Sequence, residues 1–182
     1  MGGHADKGLF SGTRGSRRFD TGIERTSDAC GKVSCDGQRP SPELRRHLEE
    51  FDGLGRGGIS GCHRKDRFEE AVGKLGGKVE KVEALTSMEG IEQVVYRLPK
   101  RDRTGDLTGE MKERNFVKTV YDASKISTDA YMSRGMEAAS NAGRETGSGK
   151  LGREWTGLDS RGVPWRGYAG ADGRVLSFYP TK

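Results

Sequence analysis

Apolar residues recur at helical spacing soon after a first, polar stretch of the chain. Leu44, Leu48 and Phe51 repeat at i, i+4 and i+7, which is the spacing of one face of an amphipathic helix. A serine and a proline before them provide an N-cap and a first helical position. We therefore predict a short helix near residues 42–52, ended by the glycine-rich stretch 53–61.

Two further helices are predicted from the same kind of pattern. Apolar residues share one face of a segment that follows His63 and ends at Gly76-Gly77, a typical C-terminal stop. These residues are Phe68, Ala71, Val72 and Leu75. Farther on, Ser127 can cap a helix that runs to about Asn141.

Strand-forming runs fill most of the remaining chain. Each combines β-branched or aromatic residues with turn residues at its ends. The runs cover 78–85, 91–98, 115–121, 163–168 and 174–179. Asp172-Gly173 between the last two is a strong hairpin signal. The order of elements predicts an α+β fold, with a mainly antiparallel twisted sheet of about four to five strands and two or three helices.

Composition limits how much of the chain can form a core. Only 31% of the residues are hydrophobic, and 29 glycines concentrate in the first sixty residues and around 143–173. We expect residues 1–55 to be a Gly/Ser/Arg-rich linker that carries the short helix near 42–52. Residues 56–182 would then form the folded domain.

Charge and cysteine content exclude some classes of protein. The net charge of +5 permits a polyanionic partner without requiring one. No apolar run approaches the roughly 20 residues of a membrane-spanning helix, and the first residues lack the pattern of a signal peptide. Cys30 and Cys35 are close enough in sequence for a disulfide. Matched Cys and His pairs are missing, so we expect neither a metal nor a cofactor.

His63 is the most conspicuous candidate for chemistry. It follows the small residues of Gly57 to Cys62 and precedes a charged helical segment. Histidine suits proton transfer near neutral pH, and glycines allow close approach of a ligand. His4 and His47 have plainer settings, the latter on the polar side of the first predicted helix. The alternative is that His63 is a loop residue with no chemical task.

Cleavage of RNA by its own 2′-hydroxyl needs a base, an acid and a cation for the phosphorane. Lys118 lies between hydrophobic residues on one face of its strand. It is either a functional cation or a charged residue that prevents an edge strand from pairing with another chain. Ser177 and Tyr179 share one face of the last strand. A possible set for this reaction consists of His63, Lys118, Thr119, Ser177, Tyr179, Trp165 and Arg166.

Three short motifs resemble C-terminal toxin domains of bacterial contact-dependent growth inhibition systems. They are Gly61-Cys62-His63 followed by Phe68, the run Lys118 to Asp122, and Ser177-Phe178-Tyr179-Pro180. The type they resemble is the EndoU-like ribonuclease toxin of the barnase/EndoU/RelE-like class. The resemblance implies that His63 is a general base or acid and Lys118 binds phosphate. It likewise implies that Ser177 contacts phosphate or base and that Tyr179 stacks on a base.

The chain departs from the resembled pattern in one respect. EndoU-like sites have a second histidine after the first, and no histidine follows His63. Lys78 lies roughly where that partner would fall, and a lysine acts as an acid only with a lowered pKa.

The resemblance implies tRNA or another structured RNA as substrate and a cognate immunity protein as partner. It also implies delivery from the surface of one bacterium, or by secretion, to the cytoplasm of another, with residues 1–55 as a linker or entry segment and residues 56–182 as the catalytic toxin domain. Alternatives are a toxin with DNase or NAD-consuming activity, or a non-enzymatic binding module that uses the C-terminal hairpin.

Overall fold

The computed structural model describes residues 37–182, which belong to one compact unit, Asp36–Lys182. Cys30 and Cys35 lie outside the described residues. The helices are α1 (Leu44–Glu49), α2 (Lys65–Lys74) and α3 (Thr128–Glu145). The first strands are β1 (Phe51–Gly55), β2 (Gly58–Gly61), β3 (Lys78–Ala84), β4 (Ile91–Arg97) and β5 (Pro99–Arg101). The later strands are β6 (Leu107–Met111), β7 (Phe116–Tyr121), β8 (Glu154–Leu158), β9 (Pro164–Ala169) and β10 (Val175–Pro180).

The strands pair antiparallel within four small sheets. Two sheets have three strands, in the orders β3-β4-β7 and β10-β9-β8, and two are the hairpins β1-β2 and β5-β6. With three helices, this confirms the predicted α+β class. The Asp172-Gly173 turn does connect β9 and β10, as the hairpin signal predicts.

Two clusters of buried side chains hold these layers together. The first lies between α1, α3 and the β8-β9-β10 sheet and includes Leu48, Tyr131, Trp165 and Phe178. The second lies between α2, β2 and the β3-β4-β7 sheet and includes Phe68. Helix α3 begins with the expected cap, since the Ser127 hydroxyl accepts a hydrogen bond from the Ala130 amide.

Three local features differ from the expectations. Helix α1 ends at Glu49, and Phe51 lies 41% exposed on β1 rather than on the apolar helix face. The stretch 53–61 is not merely a break, because it forms most of the β1-β2 hairpin. Strand β8 was missed because its Glu154–Leu158 sequence has few β-branched residues.

The N-terminal part of the described chain packs onto the last strand. The Ser41 amide donates to the Val175 carbonyl, and the Val175 amide donates to the Arg39 carbonyl, both at 2.9 Å. Helix α1 follows directly and buries Leu44 and Leu48 completely. The compact unit therefore includes α1, which the sequence analysis assigned to the segment before the catalytic domain. Among residues 37–182, no helix is long and apolar enough to cross a membrane.

Candidate functional site

A cleft of about 780 Å³ opens where α1, the β1-β2 hairpin, β7 and β10 meet. Its size is typical of a site for a small ligand or for part of a larger one. Four of the predicted catalytic residues line it, and an additional histidine joins them. They are His47, His63, Lys118, Ser177 and Tyr179.

The backbone before His63 follows an unusual path that brings this residue beside α1. Gly61 and Cys62 both have positive φ, at 67° and 59°, a region that L-residues rarely adopt. The Cys62 amide donates to the His47 carbonyl at 2.8 Å, and the His63 amide donates to the Leu48 carbonyl at 2.6 Å. The C-terminal carbonyls of α1, which lack partners within the helix, thus fix the position of His63.

The ring of His63 is held in one orientation inside the protein. Its Nδ1 donates to the Thr119 carbonyl at 3.0 Å, which leaves Nε2 as the unprotonated nitrogen of the neutral ring. Only 4% of the residue is exposed. Burial, with Lys118 and His47 close by, lowers the pKa of His63 well below its ordinary value of 6.5. His63 is therefore neutral at pH 7 and can accept a proton.

His47 provides a second imidazole at the same site. Its Nδ1 lies 2.5 Å from an Asp52 carboxylate oxygen, and its Nε2 lies 2.9 Å from the Ser177 hydroxyl. The ring centroids of His47 and His63 are 5.8 Å apart. The second histidine thus precedes His63 in the chain rather than following it. The sequence alone does not predict this role for His47, because a position on the polar side of a helix does not indicate which element packs against it.

Lys118 supplies a cation to the cleft. Its ammonium donates to the Ile59 carbonyl at 3.2 Å. Burial lowers its pKa from 10.5 to about 8, against opposing contributions from Cys62 and Asp52. Lys118 is therefore mostly protonated at neutral pH and carries a charge that water screens only partly.

Tyr179 packs against the first imidazole. Its ring lies 6.2 Å from the His63 ring, at an interplanar angle of 13°. Burial raises the pKa of its phenol, so Tyr179 retains its hydroxyl proton at neutral pH. Ser177 precedes it on the same face of β10 and contacts His47. The strand alternation that suggested this pair therefore places both side chains in the cleft.

The remaining predicted residues divide between the cleft and other places. Thr119 lines the cleft and also holds His63 through its carbonyl. Trp165 lies in the core, 1% exposed, where its indole donates to Asp159, so it is in no position to bind substrate. Arg166 is exposed beside Tyr179 and pairs with Glu154 at 2.7 Å. Lys78 is exposed at the start of β3, outside the cleft.

The assembled groups are those of an acid–base site. Two imidazoles, an ammonium and two hydroxyls face one cleft that is open to solvent. Such a set can remove one proton, supply another and stabilise negative charge between them. No group of three or more His, Cys, Asp or Glu side chains within residues 37–182 is placed to hold a metal ion. Fold and site together define a small α+β domain whose cleft collects groups suited to acid–base chemistry.

Comparison with known proteins makes the class more specific. The chain is 35% identical over 138 residues to a tRNA nuclease CdiA of Yersinia mollaretii, a match that covers 75% of this chain and 5% of that protein. It is 38% identical over 97 residues to a tRNA nuclease CdiA of Escherichia coli (strain STEC_O31), covering 51% of this chain and 3% of the relative. The chain thus spans about a twentieth or less of the length of these relatives. No family model matches it.

These similarities confirm the resemblance to toxin domains of contact-dependent growth inhibition systems. The EndoU-like type stays a prediction.

Proposed function

We propose that the chain is a toxin domain with endoribonuclease activity on tRNA, and that it cleaves by acid–base transphosphorylation without a metal. The names of both relatives support the substrate and the activity. The observation that carries the mechanism is the pair of imidazoles 5.8 Å apart in one cleft with Lys118. The same pair supports the EndoU-like type, because that pattern has two histidines, although here the additional one, His47, precedes His63.

His63 is the general base in this mechanism. Its neutral ring takes the proton of the ribose 2′-hydroxyl through Nε2, while Nδ1 stays bonded to the Thr119 carbonyl. The 2′-oxygen then attacks the adjacent phosphorus. The lowered pKa of His63 keeps the ring unprotonated before the reaction, which is the state that a base requires.

His47 is the general acid. Protonated His47 gives a proton from Nε2 to the 5′-oxygen as the bond between that oxygen and phosphorus breaks. The products are a 2′,3′-cyclic phosphate and a free 5′-hydroxyl. Asp52 holds the opposite ring nitrogen, so its carboxylate orients the ring and compensates its positive charge. Ser177 lies 2.9 Å from the donating nitrogen.

Lys118 and Tyr179 act on the rest of the reacting nucleotide. The Lys118 ammonium stabilises the negative charge that builds up on the phosphorane oxygens. Tyr179 is stacked on the His63 ring and offers a half-buried aromatic surface for a base. The cellular setting follows from the resemblance: delivery into a neighbouring bacterium, action on its tRNA and neutralisation by a cognate immunity protein.

The test is cleavage of tRNA by the purified protein in the presence of EDTA. We expect fragments that end in a 2′,3′-cyclic phosphate and a 5′-hydroxyl. His63→Ala and His47→Ala should each lower kcat by a factor of about 100 or more with unchanged circular dichroism. Lys81→Ala, at an exposed position of β3 outside the cleft, serves as the control and should keep full activity.

Two outcomes would overturn the proposal. Activity that EDTA abolishes would point to a metal-dependent nuclease. An inert wild-type protein, tested on total RNA as well as on tRNA, would exclude the endoribonuclease and leave a toxin of another activity or a binding module as the candidates.

A further inference from the structure

The cleft extends past the catalytic groups onto the outer face of the β3-β4-β7 sheet. Gln93 of β4 lies directly opposite Thr119 of β7, and both residues line the cleft. Because side chains alternate along a strand, they face away from the buried Val94 and Val120. The side chains on this outer face take no part in the proposed proton transfers. Their position in the cleft therefore suggests a different role.

Two polar side chains on this face, Gln93 and the 6% exposed Thr119, have no side-chain hydrogen-bond partner among the described residues. Within residues 37–182, the Gln93 amide and the Thr119 hydroxyl form no side-chain hydrogen bond; only the backbone carbonyl of Thr119 is engaged, by His63. Gln93 is half-buried. An amide offers two donors and an acceptor side by side, and a hydroxyl offers one of each. These are the groups that read the edge of a nucleobase.

Apolar surface flanks the same place. Val117 precedes Thr119 on the outer face and is 57% exposed, and Leu176 of β10 is 43% exposed at the cleft. Single exposed apolar residues are ordinary, but Val117 and Leu176 line the same cleft as Gln93, which lies on the strand next to that of Val117. Apolar side chains such as these can pack against the flat face of a nucleobase.

The distance to the catalytic groups fits one nucleotide. Adjacent strands lie about 4.8 Å apart, and Thr119 stands between Gln93 on one side and His63 on the other. Gln93 is therefore roughly two strand spacings, about 10 Å, from the His63 backbone. A base whose ribose is bound at His63 can extend toward Gln93 over a distance of this order.

We propose that Gln93, with Thr119 and the apolar wall of Val117, forms a recognition subsite for one unpaired nucleobase next to the scissile phosphate. Gln93 reads the donor and acceptor groups of the base edge, and Val117 covers its face. The inference rests on the proposed ribonuclease function and adds a determinant of base preference to it. Gln93 is a specificity residue here and takes no part in proton transfer.

The experiment compares wild type with Gln93→Leu on short single-stranded RNAs that vary only in the bases flanking the cleaved bond. We expect wild type to prefer one base at one flanking position. Gln93→Leu should lose about tenfold in kcat/KM on that base and cut all four at similar rates, since a good bidentate contact is worth about 1–3 kcal/mol. On a substrate that lacks the base at this position, the two proteins should be equally active.

A matched control and a binding assay complete the design. Thr156→Leu changes an exposed, uncharged strand position on β8 outside the cleft and should keep the wild-type preference. Non-cleavable 2′-O-methyl RNAs of the same sequences, measured by fluorescence anisotropy, should show the same loss of base preference in Gln93→Leu.

The outcomes separate the two proposals. Cleavage by wild type with an unchanged base preference in Gln93→Leu would overturn this inference and leave the ribonuclease function standing. Failure of wild type to cleave any RNA would overturn the function, and the anisotropy series would then decide the subsite by itself. A loss of activity in Gln93→Leu on the substrate that lacks the base would also overturn the proposed subsite, because such a loss indicates a structural role for Gln93.

Discussion

At the scale of residues, the site combines two imidazoles in different environments. His63 is buried, bonded to a backbone carbonyl and neutral at pH 7. His47 is partly exposed and bonded to a carboxylate and a hydroxyl. Different surroundings for two groups of the same type are a common way to assign one as base and the other as acid.

The pH dependence of the reaction should reveal Lys118. Its pKa is about 8, so it loses its charge as the pH rises through that value, and kcat/KM should fall above pH 8. The limb that belongs to His63 should lie well below pH 6.5, where its ring becomes protonated. In Lys118→Arg the guanidinium stays charged, and the fall above pH 8 should disappear from the measured profile.

The same variant can also contradict the prediction. If Lys118→Arg keeps the alkaline limb at about pH 8, then another group titrates there and Lys118 is not the required cation. The activity of Lys118→Arg at pH 7 need not match that of wild type. The test compares the pH at which kcat/KM falls, and the absolute value of kcat/KM does not matter.

At the scale of elements, the β1-β2 hairpin and the turn after it place the first imidazole. Gly61 and Cys62 both adopt positive φ, and the chain then meets the end of α1. A Cβ on residue 61 would lie 2.5 Å from the Glu50 carbonyl oxygen. Glycine at this position is therefore required by both conformation and space.

Gly61→Ala should destabilise the protein and impair the site together. We expect a loss of about 1–3 kcal/mol in the free energy of unfolding, from strained backbone and a close contact, measured by urea denaturation. Activity on tRNA should fall because His63 shifts away from Thr119. Gly73→Ala, in the exposed last turn of α2 with open space around it, is the control and should gain up to about 0.5–1 kcal/mol.

Equal stability of Gly61→Ala and wild type would show that the turn tolerates a side chain. The account of how His63 is positioned would then be wrong, whatever happens to the rate.

At the scale of the whole molecule, the site lies at the junction of the two buried clusters. Helix α1 and β10 belong to the first cluster, and β2 and β7 to the second. His47 and Ser177 come from the first side and Lys118 from the second. Helix α1 connects the sides, because its apolar face is buried in one cluster while its last carbonyls bind the chain before α2.

Leu48→Ala should therefore lower the free energy of unfolding substantially, although α1 is a short helix. Leu48 is completely buried, and removing such a side chain costs about 2–5 kcal/mol. Leu54→Ala makes the same chemical change at a position that is 50% exposed and should cost less than about 1 kcal/mol. Urea denaturation of both variants measures the difference, and similar losses would contradict the role assigned to α1.

The sequence by itself determined the elements whose signals are local. Apolar spacing, caps and turn residues predicted α1, α2, α3 and the β9-β10 hairpin, because these depend on neighbours within a few residues. It also predicted His63, Lys118, Ser177 and Tyr179 as one set, partly through strand alternation and partly through the resemblance. The β1-β2 hairpin was missed because its glycines are typical of a break as well as of a turn.

Only the tertiary structure decided which distant residues meet. His47 became part of the site because α1 packs on β10, a contact between residues 130 positions apart that no local pattern encodes. Trp165 was excluded for the same reason, since β9 turns it into the core. The burial that lowers the pKa of His63 and Lys118 likewise comes from the packing of separate elements. Local sequence fixes which groups are present, and long-range packing fixes their distances and their protonation.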